Sequence, residues 1–325
     1  MPRTHRDTRA PSTVLVTGAS SGIGRATALE LARRGTRLVL VSRSEQTLAE
    51  VAAECRREGA EARCVAADVA DAAAVTAAFD HARSAYGPVD GVVHAAAVLA
   101  LGRFEDVPVE DFDRVLTVNV SGTAHVARAA LDHFREAGGG SLVVVGSLLG
   151  RTTTPYLSGY VASKWAVHGL VRTLQIEARR TPGVRIGLVT PGGVDTPIYD
   201  AAAHYVRRAG RPPPPVESPE RVARAVVRSL SKPRRNASVG PANGITALGF
   251  RLLPGVYDRV ITPYMDVALL SRDEADERPG NLWRPVPAVE SVHGRWGRHW
   301  LRLVGGGAVA LAATGAARRT IRRKG

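Results

Sequence analysis

The sequence predicts a doubly wound α/β fold, with a parallel sheet in a single main domain and an extension at its C-terminal end. Three observations carry this prediction. From Thr13 to about Pro197, short apolar runs alternate with Ala-rich stretches long enough for crossover helices. Each run is apolar almost throughout, as a strand covered on both faces must be. The first run leads into a glycine-rich turn that opens a helix.

Taken in order, the expected strands are Val14–Val16, Leu38–Val41, Ala62–Val65, Gly91–His94, Ser141–Gly146 and Val184–Val189. The expected helices include Gly24–Arg34, Gln46–Glu58, Ala72–Ala85, Val120–Glu136 and Tyr160–Arg180. The character changes after residue 198. Four consecutive prolines after Arg211 exclude helix interior and central strand. Residues 198–217 therefore read as a lid over a substrate or as a plain linker. Ser218-Pro219-Glu220 restarts a helix to about Ser231, with serine as N-cap, proline at the first position and an acid in the first turn. The catalytic domain is expected over residues 12–235. Residues 236–294 form a partly helical extension, with a helix around Tyr257–Leu270.

The composition fits this class. The chain has 325 residues, 45% hydrophobic and 23% charged, enough apolar residues for a core and too many for global disorder. Two cysteines, Cys55 and Cys64, rule out a disulfide framework and point to a reducing compartment, with the cytoplasm as the expected location. Residues 1–11 are polar and basic, and the first apolar run is too short for a secretory signal. The net charge of +14 is concentrated at the ends, with +8 in residues 295–325 alone. Only three of the basic residues, Lys164, Lys232 and Lys324, are lysines, which reads as an arginine bias of coding rather than recognition. Aromatics interleaved with the basic tail are few, so no nucleic-acid partner is expected. Residues 303–317 are an uncharged run of 15, short of the roughly 20 needed to span a bilayer. With Trp296, Trp300 and flanking arginines, this tail reads as an interfacial contact at the inner face of a membrane or as a free basic tail.

The glycine-rich turn is Thr17-Gly18-Ala19-Ser20-Ser21-Gly22-Ile23-Gly24. Its glycines permit a tight turn, close backbone approach to a pyrophosphate and close helix–strand packing, and the helix N-terminus offers N–H groups and a positive dipole end. The second strand ends at Ser42-Arg43, where a carboxylate would select NAD by accepting from the ribose 2′-hydroxyl. The missing acid, with Arg43 present and Arg25 nearby, favours NADP over NAD. Arg43 is otherwise a solvated surface arginine. Asp68, followed by Val69, is placed to accept from the adenine amino group or to cap the next helix. No metal is called for.

Tyr160 and Lys164 lie four residues apart and share one helix face. A phenol titrates near 10 and is a poor proton shuttle at neutral pH. An ammonium a few ångströms away favours phenolate, so Lys164 is expected to draw the Tyr160 pKa down into the range useful for general acid–base work. Ser147, at the end of the fifth strand, can hydrogen-bond a substrate oxygen. The amide of Asn119 can hold a water for proton relay. Singly, these are a surface pair, a turn residue and a helix cap; their force lies in co-occurrence behind a dinucleotide cradle.

With these residues in place the chain resembles the short-chain dehydrogenase/reductase family, whose fold is the Rossmann type. The matching motifs are Thr17–Gly24, Asn119, Ser147, Tyr160-Val-Ala-Ser-Lys164 and Pro191-Gly192-Gly193-Val194-Asp195-Thr196, within roughly two-thirds of the chain. The resemblance implies Tyr160 as catalytic acid/base, Lys164 as its partner on the ribose, Ser147 as substrate-oxygen donor and Asn119 as relay residue. It also implies that Pro191, Gly192, Val194 and Thr196 frame the nicotinamide, that Ala95 and Ala96 line the cofactor, and that the protein forms a homo-oligomer. One departure stands out. The family's Asn-Asn-Ala-Gly is here His94-Ala95-Ala96-Ala97. Loss of the amides is expected to weaken the link from this strand to Asn119, and His94 reads as a packed strand-end residue.

The expected pocket draws on Leu99, Leu101, Leu148, Leu149, Tyr156, Ile198, Tyr199 and Tyr205, which suits a small hydrophobic ketone, aldehyde or secondary alcohol. The competing reading is a non-catalytic NADP-binding scaffold whose tail is the working part.

Overall fold

A computed structural model describes residues 12–296. The expectations for residues 1–11 and for the tail at 303–317 lie outside the described residues.

Seven parallel strands form the central sheet: β1 (Thr13–Thr17), β2 (Arg37–Ser42), β3 (Ala62–Ala66), β4 (Gly91–His94), β5 (Gly140–Val145), β6 (Val184–Pro191) and β7 (Ala237–Val239). Their spatial order is β7-β6-β5-β4-β1-β2-β3. Crossing back over β1 creates a switch point between β1 and β4, beyond which ligands bind in such sheets. The strands expected from apolar runs fall within a residue or two of those observed. β7 was not expected, because Ala-Ser-Val is too short to carry a pattern. Its pairing with β6, Ala237 opposite Val189, puts the division expected at residue 235 inside the sheet.

Strand residues alternate between two cores, as the period of two requires. Leu15, Val39, Val92, Leu142 and Val144 pack under helices α3 (Ala72–Tyr86), α5 (Gly122–Ala137) and α6 (Ser158–Glu177). Val14, Val16, Leu38, Leu40, Val93 and Val143 pack under α1 (Gly22–Ala32), α2 (Glu45–Arg57) and α7 (Pro219–Ser231). Caps set the helix starts. Ser44 accepts from the Thr47 N–H, Asp71 from those of Ala73 and Ala74, and Ser218 from that of Arg221.

The expected helix over 120–136 begins earlier than the sequence suggests. α4 (Val109–Leu116) runs into a π-helical turn at Thr117–Ser121 and continues as α5. Such single π turns inside helices mark functional sites. Asn119 sits in this one.

A third cluster lies beyond the carboxyl ends of the strands. Leu99, Leu101, Leu157, Ala202, Met265, Leu269 and Leu270 form it. It includes residues of α9 (Pro254–Ala268), which follows α8 (Asn243–Leu252). The segment 198–217 is tied down rather than a loose linker. Ala203–His204 pairs with Ala100–Leu101, Arg208–Gly210 with Leu270–Glu274, and Val216–Glu217 with Gly193–Val194.

The chain then returns across the molecule. Leu282 is fully buried in the first core, an anchor worth roughly 1.5–3 kcal/mol for a leucine side chain. From residue 283 to 296 no residue is fully buried.

Candidate active site

The phosphate cradle forms where β1 turns into α1. Gly18 has φ +67, and a Cβ there would lie 2.7 Å from the Ala96 nitrogen. A Cβ on Gly24 would lie 1.9 Å from the Gly18 carbonyl oxygen, so only glycine lets the helix pack on the turn. Gly18, Ser20, Ser21, Gly22, Ile23 and Gly24 line a cleft of about 140 Å³. Ser42 and Arg43 from the end of β2, Asp68 and Val69 after β3, and Ala95 and Ala96 after β4 complete it.

Two of the expected charges have other partners. Arg25 pairs with Glu54 at 2.6 Å and donates to the Glu290 carbonyl at 3.3 Å. Arg43 donates to the backbone carbonyls of Leu282, at 2.9 Å, and Asn281, at 2.5 Å, so it is not a solvated surface arginine. Asp68 is not the helix cap, a role Asp71 takes. It accepts from the Ala70 N–H and pairs with Arg114, whose guanidinium lies 5.2 Å from the Trp283 ring centre.

A second cavity of about 670 Å³ adjoins the cleft. The two share Ile23, Ala95, Ala97, Thr196 and Ile198 as a common wall. Ser147, Tyr160 and Lys164 line the larger one, with Pro191, Gly192, Val194 and Thr196. The Tyr160 and Ser147 hydroxyls share a hydrogen bond, and the Ser147 Oγ also accepts from the Leu149 N–H at 3.1 Å. The Lys164 Nζ donates to the Val145 carbonyl at 3.3 Å and sits 5.5 Å from the Tyr160 ring centre.

The expected lowering of the Tyr160 pKa is overturned. Burial pushes the phenol up to about 12, with the Ser147 hydrogen bond opposing. The ammonium lies over the ring and is bonded to a carbonyl, so desolvation of a phenolate outweighs it. Burial also brings Lys164 down to about 8.

The Asn119 amide is bonded to protein groups. Its oxygen accepts from the Val98 N–H at 2.9 Å, and its nitrogen donates to the Val98 carbonyl and the Ser163 Oγ, each at 3.0 Å. It thereby ties the chain after β4 to α6, three residues from Tyr160. The link expected to weaken at His94 is instead rebuilt. The His94 Nδ1 lies 2.8 Å from the Thr17 Oγ1, its Nε2 3.0 Å from the Thr123 Oγ1, and the Thr123 hydroxyl donates to the Asn119 carbonyl. An imidazole thus spans the gap that two amides would have filled.

His168 is a site residue that the sequence reading missed. Its Nε2 accepts from the Ser147 N–H at 3.4 Å, and burial holds its pKa down to about 4, so it stays a neutral acceptor. Its place on the face shared by Tyr160 and Lys164, at successive intervals of four, was the available signal.

Of the expected pocket residues, Leu99, Leu148, Leu149, Ile198 and Tyr199 line the cavity. Leu101 is fully buried in the third cluster instead. Tyr156 turns its hydroxyl to Asp266 at 2.6 Å, and Tyr205 bonds Asp111. The missing wall comes from the extension. Thr246 on α8, Leu253 between the helices, and Val256, Tyr257, Ile261 and Tyr264 on α9 line the cavity, joined by Pro213, Pro214 and Pro215. Leu252, Leu253 and Val256 are also exposed, so the outer rim is apolar.

Comparisons with known proteins agree with this geometry. A family model described as short chain dehydrogenase matches residues 12–205. The uncharacterized oxidoreductase YxnA of Bacillus subtilis is 34% identical over 272 residues, 82% of this chain and 75% of the relative. Tetrahydroxynaphthalene reductase of Pyricularia oryzae is 35% identical over 189 residues, 58% of this chain and 66% of the relative. Among solved structures, an alcohol dehydrogenase from the archaeon Thermococcus sibiricus, complexed with 5-hydroxy-NADP, is 33% identical with a TM-score of 0.61. It covers 70% of this chain and 95% of its own. A short chain dehydrogenase/reductase from Burkholderia phymatum, in complex with NAD, is 28% identical with a TM-score of 0.67, over 73% of this chain and 92% of its own. The chain belongs to the short-chain dehydrogenase family of oxidoreductases.

Proposed function

We propose that the protein is an NADP-dependent oxidoreductase that interconverts a hydrophobic ketone or aldehyde and its alcohol. The observation that carries the reading is the Ser147–Tyr160 hydroxyl pair, with Lys164 beside it, in an apolar cavity that shares a wall with the cleft behind the glycine-rich turn. The residues present fit a dinucleotide. The Gly18 and Gly24 positions leave no room for a Cβ, α1 turns its N-terminus to the cleft, and Ser42, Arg43 and Ser44 at the end of β2 include no acid. Arg43 spends two of its donors on carbonyls, and a guanidinium carries five. Its remaining donors are the natural partner of a 2′-phosphate, which supports NADP over NAD.

When bound, the dinucleotide supplies or accepts the hydride. The chain manages the proton. With its pKa near 12, Tyr160 is a phenol at neutral pH and can give its Oη proton to a carbonyl oxygen. Ser147 donates to the same oxygen and fixes its place. Lys164, a cation below about pH 8, stabilises the phenolate left behind. Hydride to carbon and proton to oxygen together make the alcohol. His168 and Asn119 touch no reacting atom and act as positioning residues, one for Ser147 and one for α6.

The apolar lining of the 670 Å³ cavity supports an apolar substrate. The test is NADPH oxidation over a panel of hydrophobic ketones and aldehydes, with Tyr160→Phe beside the native protein. Native turnover that falls by about a thousandfold in the variant, with NADPH affinity kept, is the expected result. Tight NADPH binding without native turnover would overturn it in favour of a scaffold.

A further inference from the structure

Residues 281–296 lie across the dinucleotide cleft and are fastened on both sides of it. On the near side, Leu282 is buried in the core, the Trp283 Nε1 donates to the Asp111 Oδ1 at 2.6 Å, and the Asn281 N–H donates to the Ala201 carbonyl at 2.8 Å. On the far side, the Ser291 carbonyl accepts from the Gly22 N–H at 2.8 Å, and the Glu290 carbonyl accepts from Arg25 at 3.3 Å. The Gly294 and Trp296 N–H groups donate to the Asp195 carbonyl at 3.3 Å and the Asp195 carboxylate at 3.1 Å. Between the anchors, Val286, Val289 and Glu290 line the same cleft as Gly18, Ser42 and Ala96.

We infer that this strap is the outer wall of the cofactor site, and that a dinucleotide enters and leaves only when residues 284–296 lift. The inference rests on the dinucleotide reading of the cleft. Under the closed strap the part of the site over the glycine-rich turn holds about 140 Å³. One of the helix N-terminal amides expected to face the phosphates, that of Gly22, already has the Ser291 carbonyl as its acceptor. Arg43 is held at the rim by strap carbonyls, so the strap also positions the group that would meet a 2′-phosphate.

The two fastenings differ in kind. The near one buries Leu282 completely and behaves as a hinge. The far one consists of backbone hydrogen bonds, the contacts with the Arg25 and Asp195 side chains, and the surface ion pairs His293–Glu220, at 2.7 Å, and Arg295–Asp200, at 2.8 Å, and contains no fully buried residue. Segments held this lightly open locally at small free energies. The family model ends at residue 205, so the strap lies outside the region it matches.

Two full-chain variants test this, each loosening the strap from outside the catalytic residues. In Gly294→Leu, the added Cβ would meet the Asp195 Oδ1 at 2.8 Å and the Thr196 oxygen at 3.0 Å, which opens the clasp. Pro285→Gly with Pro287→Gly leaves every clasp contact in place and favours the open strap through added chain entropy. The readouts are the release rate of bound NADPH by fluorescence displacement and the hydrogen exchange of strap amides. Both variants should release NADPH faster, Gly294→Leu by about tenfold, and both should exchange the 284–294 amides faster. Ala288→Ser, on the exposed bridge, should match the native protein. Binding of NADPH by the variants alone would also support the strap. Equal release and exchange rates across all proteins overturn it while leaving the dinucleotide reading intact. If no protein of the set binds NADPH or NADH, the dinucleotide reading itself fails, and the strap's role with it.

Discussion

His94 hydrogen-bonds Thr123 across the gap between β4 and α5, Nε2 to Oγ1 at 3.0 Å. Because the Thr123 hydroxyl donates onward to the Asn119 carbonyl, it must accept from His94, so the Nε2 carries the proton. The Nδ1 is then an acceptor, and the Thr17 hydroxyl donates to it at 2.8 Å. This neutral tautomer satisfies every partner.

Protonation at Nδ1 would break that arrangement. Burial holds the His94 pKa down to about 3, against an ordinary value of 6.5, with the Lys164 charge adding to the effect. Below pH 6.5 the unfolded chain binds a proton that the folded chain refuses, so this contribution to stability is lost as pH falls from 6.5 toward 3. At pH 5 the loss is about 2 kcal/mol from this residue alone. His94→Asn keeps a donor and an acceptor and lacks the titration. Urea unfolding at pH 7 and pH 5 should show a smaller acid loss in the variant. The same acid loss in both proteins would refute the assignment.

Lys164 sets the alkaline limit of the proposed reduction. Its pKa, brought down to about 8 by burial, means that the ammonium disappears above that pH while Tyr160 is still a phenol. The profile of kcat/KM for NADPH-dependent reduction should be level below pH 8 and fall about tenfold per unit above it. A profile that stays level up to alkaline unfolding would remove Lys164 from the proton step.

Arg43 should separate the two dinucleotides. Arg43→Ala loses the donors proposed for a 2′-phosphate and also frees the strap carbonyls of residues 281 and 282. The second loss affects both cofactors, so their ratio is the measurement. The Kd for NADPH should rise about 10- to 100-fold more than that for NADH. Equal changes would leave NADP preference without a residue to carry it.

Gly24 and Gly169 make a contrast. An alanine Cβ at Gly24 meets the Gly18 carbonyl at 1.9 Å and must push the cradle turn off the helix, so Gly24→Ala should lose dinucleotide binding and lower Tm. Gly169, on the exposed side of α6, has nothing within 4 Å of an added Cβ. Gly169→Ala should raise stability by about 1 kcal/mol through helix propensity. Calorimetry on the pair decides. A tolerated Gly24→Ala would mean that the close approach is dispensable.

Some of this was legible along the chain, and some was not. The apolar runs that became β1 to β6, the turn at Thr17–Gly24 and the Ser218 cap depend on residues within a few positions of one another. The grouping of Ser147, Tyr160 and Lys164 in one cavity also followed from the sequence. The direction of the Tyr160 shift did not, because it depends on how completely the folded chain removes water and on where the Lys164 Nζ comes to rest. The partners of the Asn119 amide, Val98 and Ser163, were not legible because they sit on other elements. The substrate wall from α8 and α9 was invisible for the same reason, since nothing in residues 243–268 says which cavity they will face.

The sequence by itself therefore determined the sheet, its two cores, the glycine cradle and the identities of the side chains proposed to react, because periodicity and turn chemistry are local properties. The tertiary structure alone decided the proton affinities, the His94 bridge and the strap. Arg43 and Leu282 meet across 239 positions, and no local pattern records a contact made at that range.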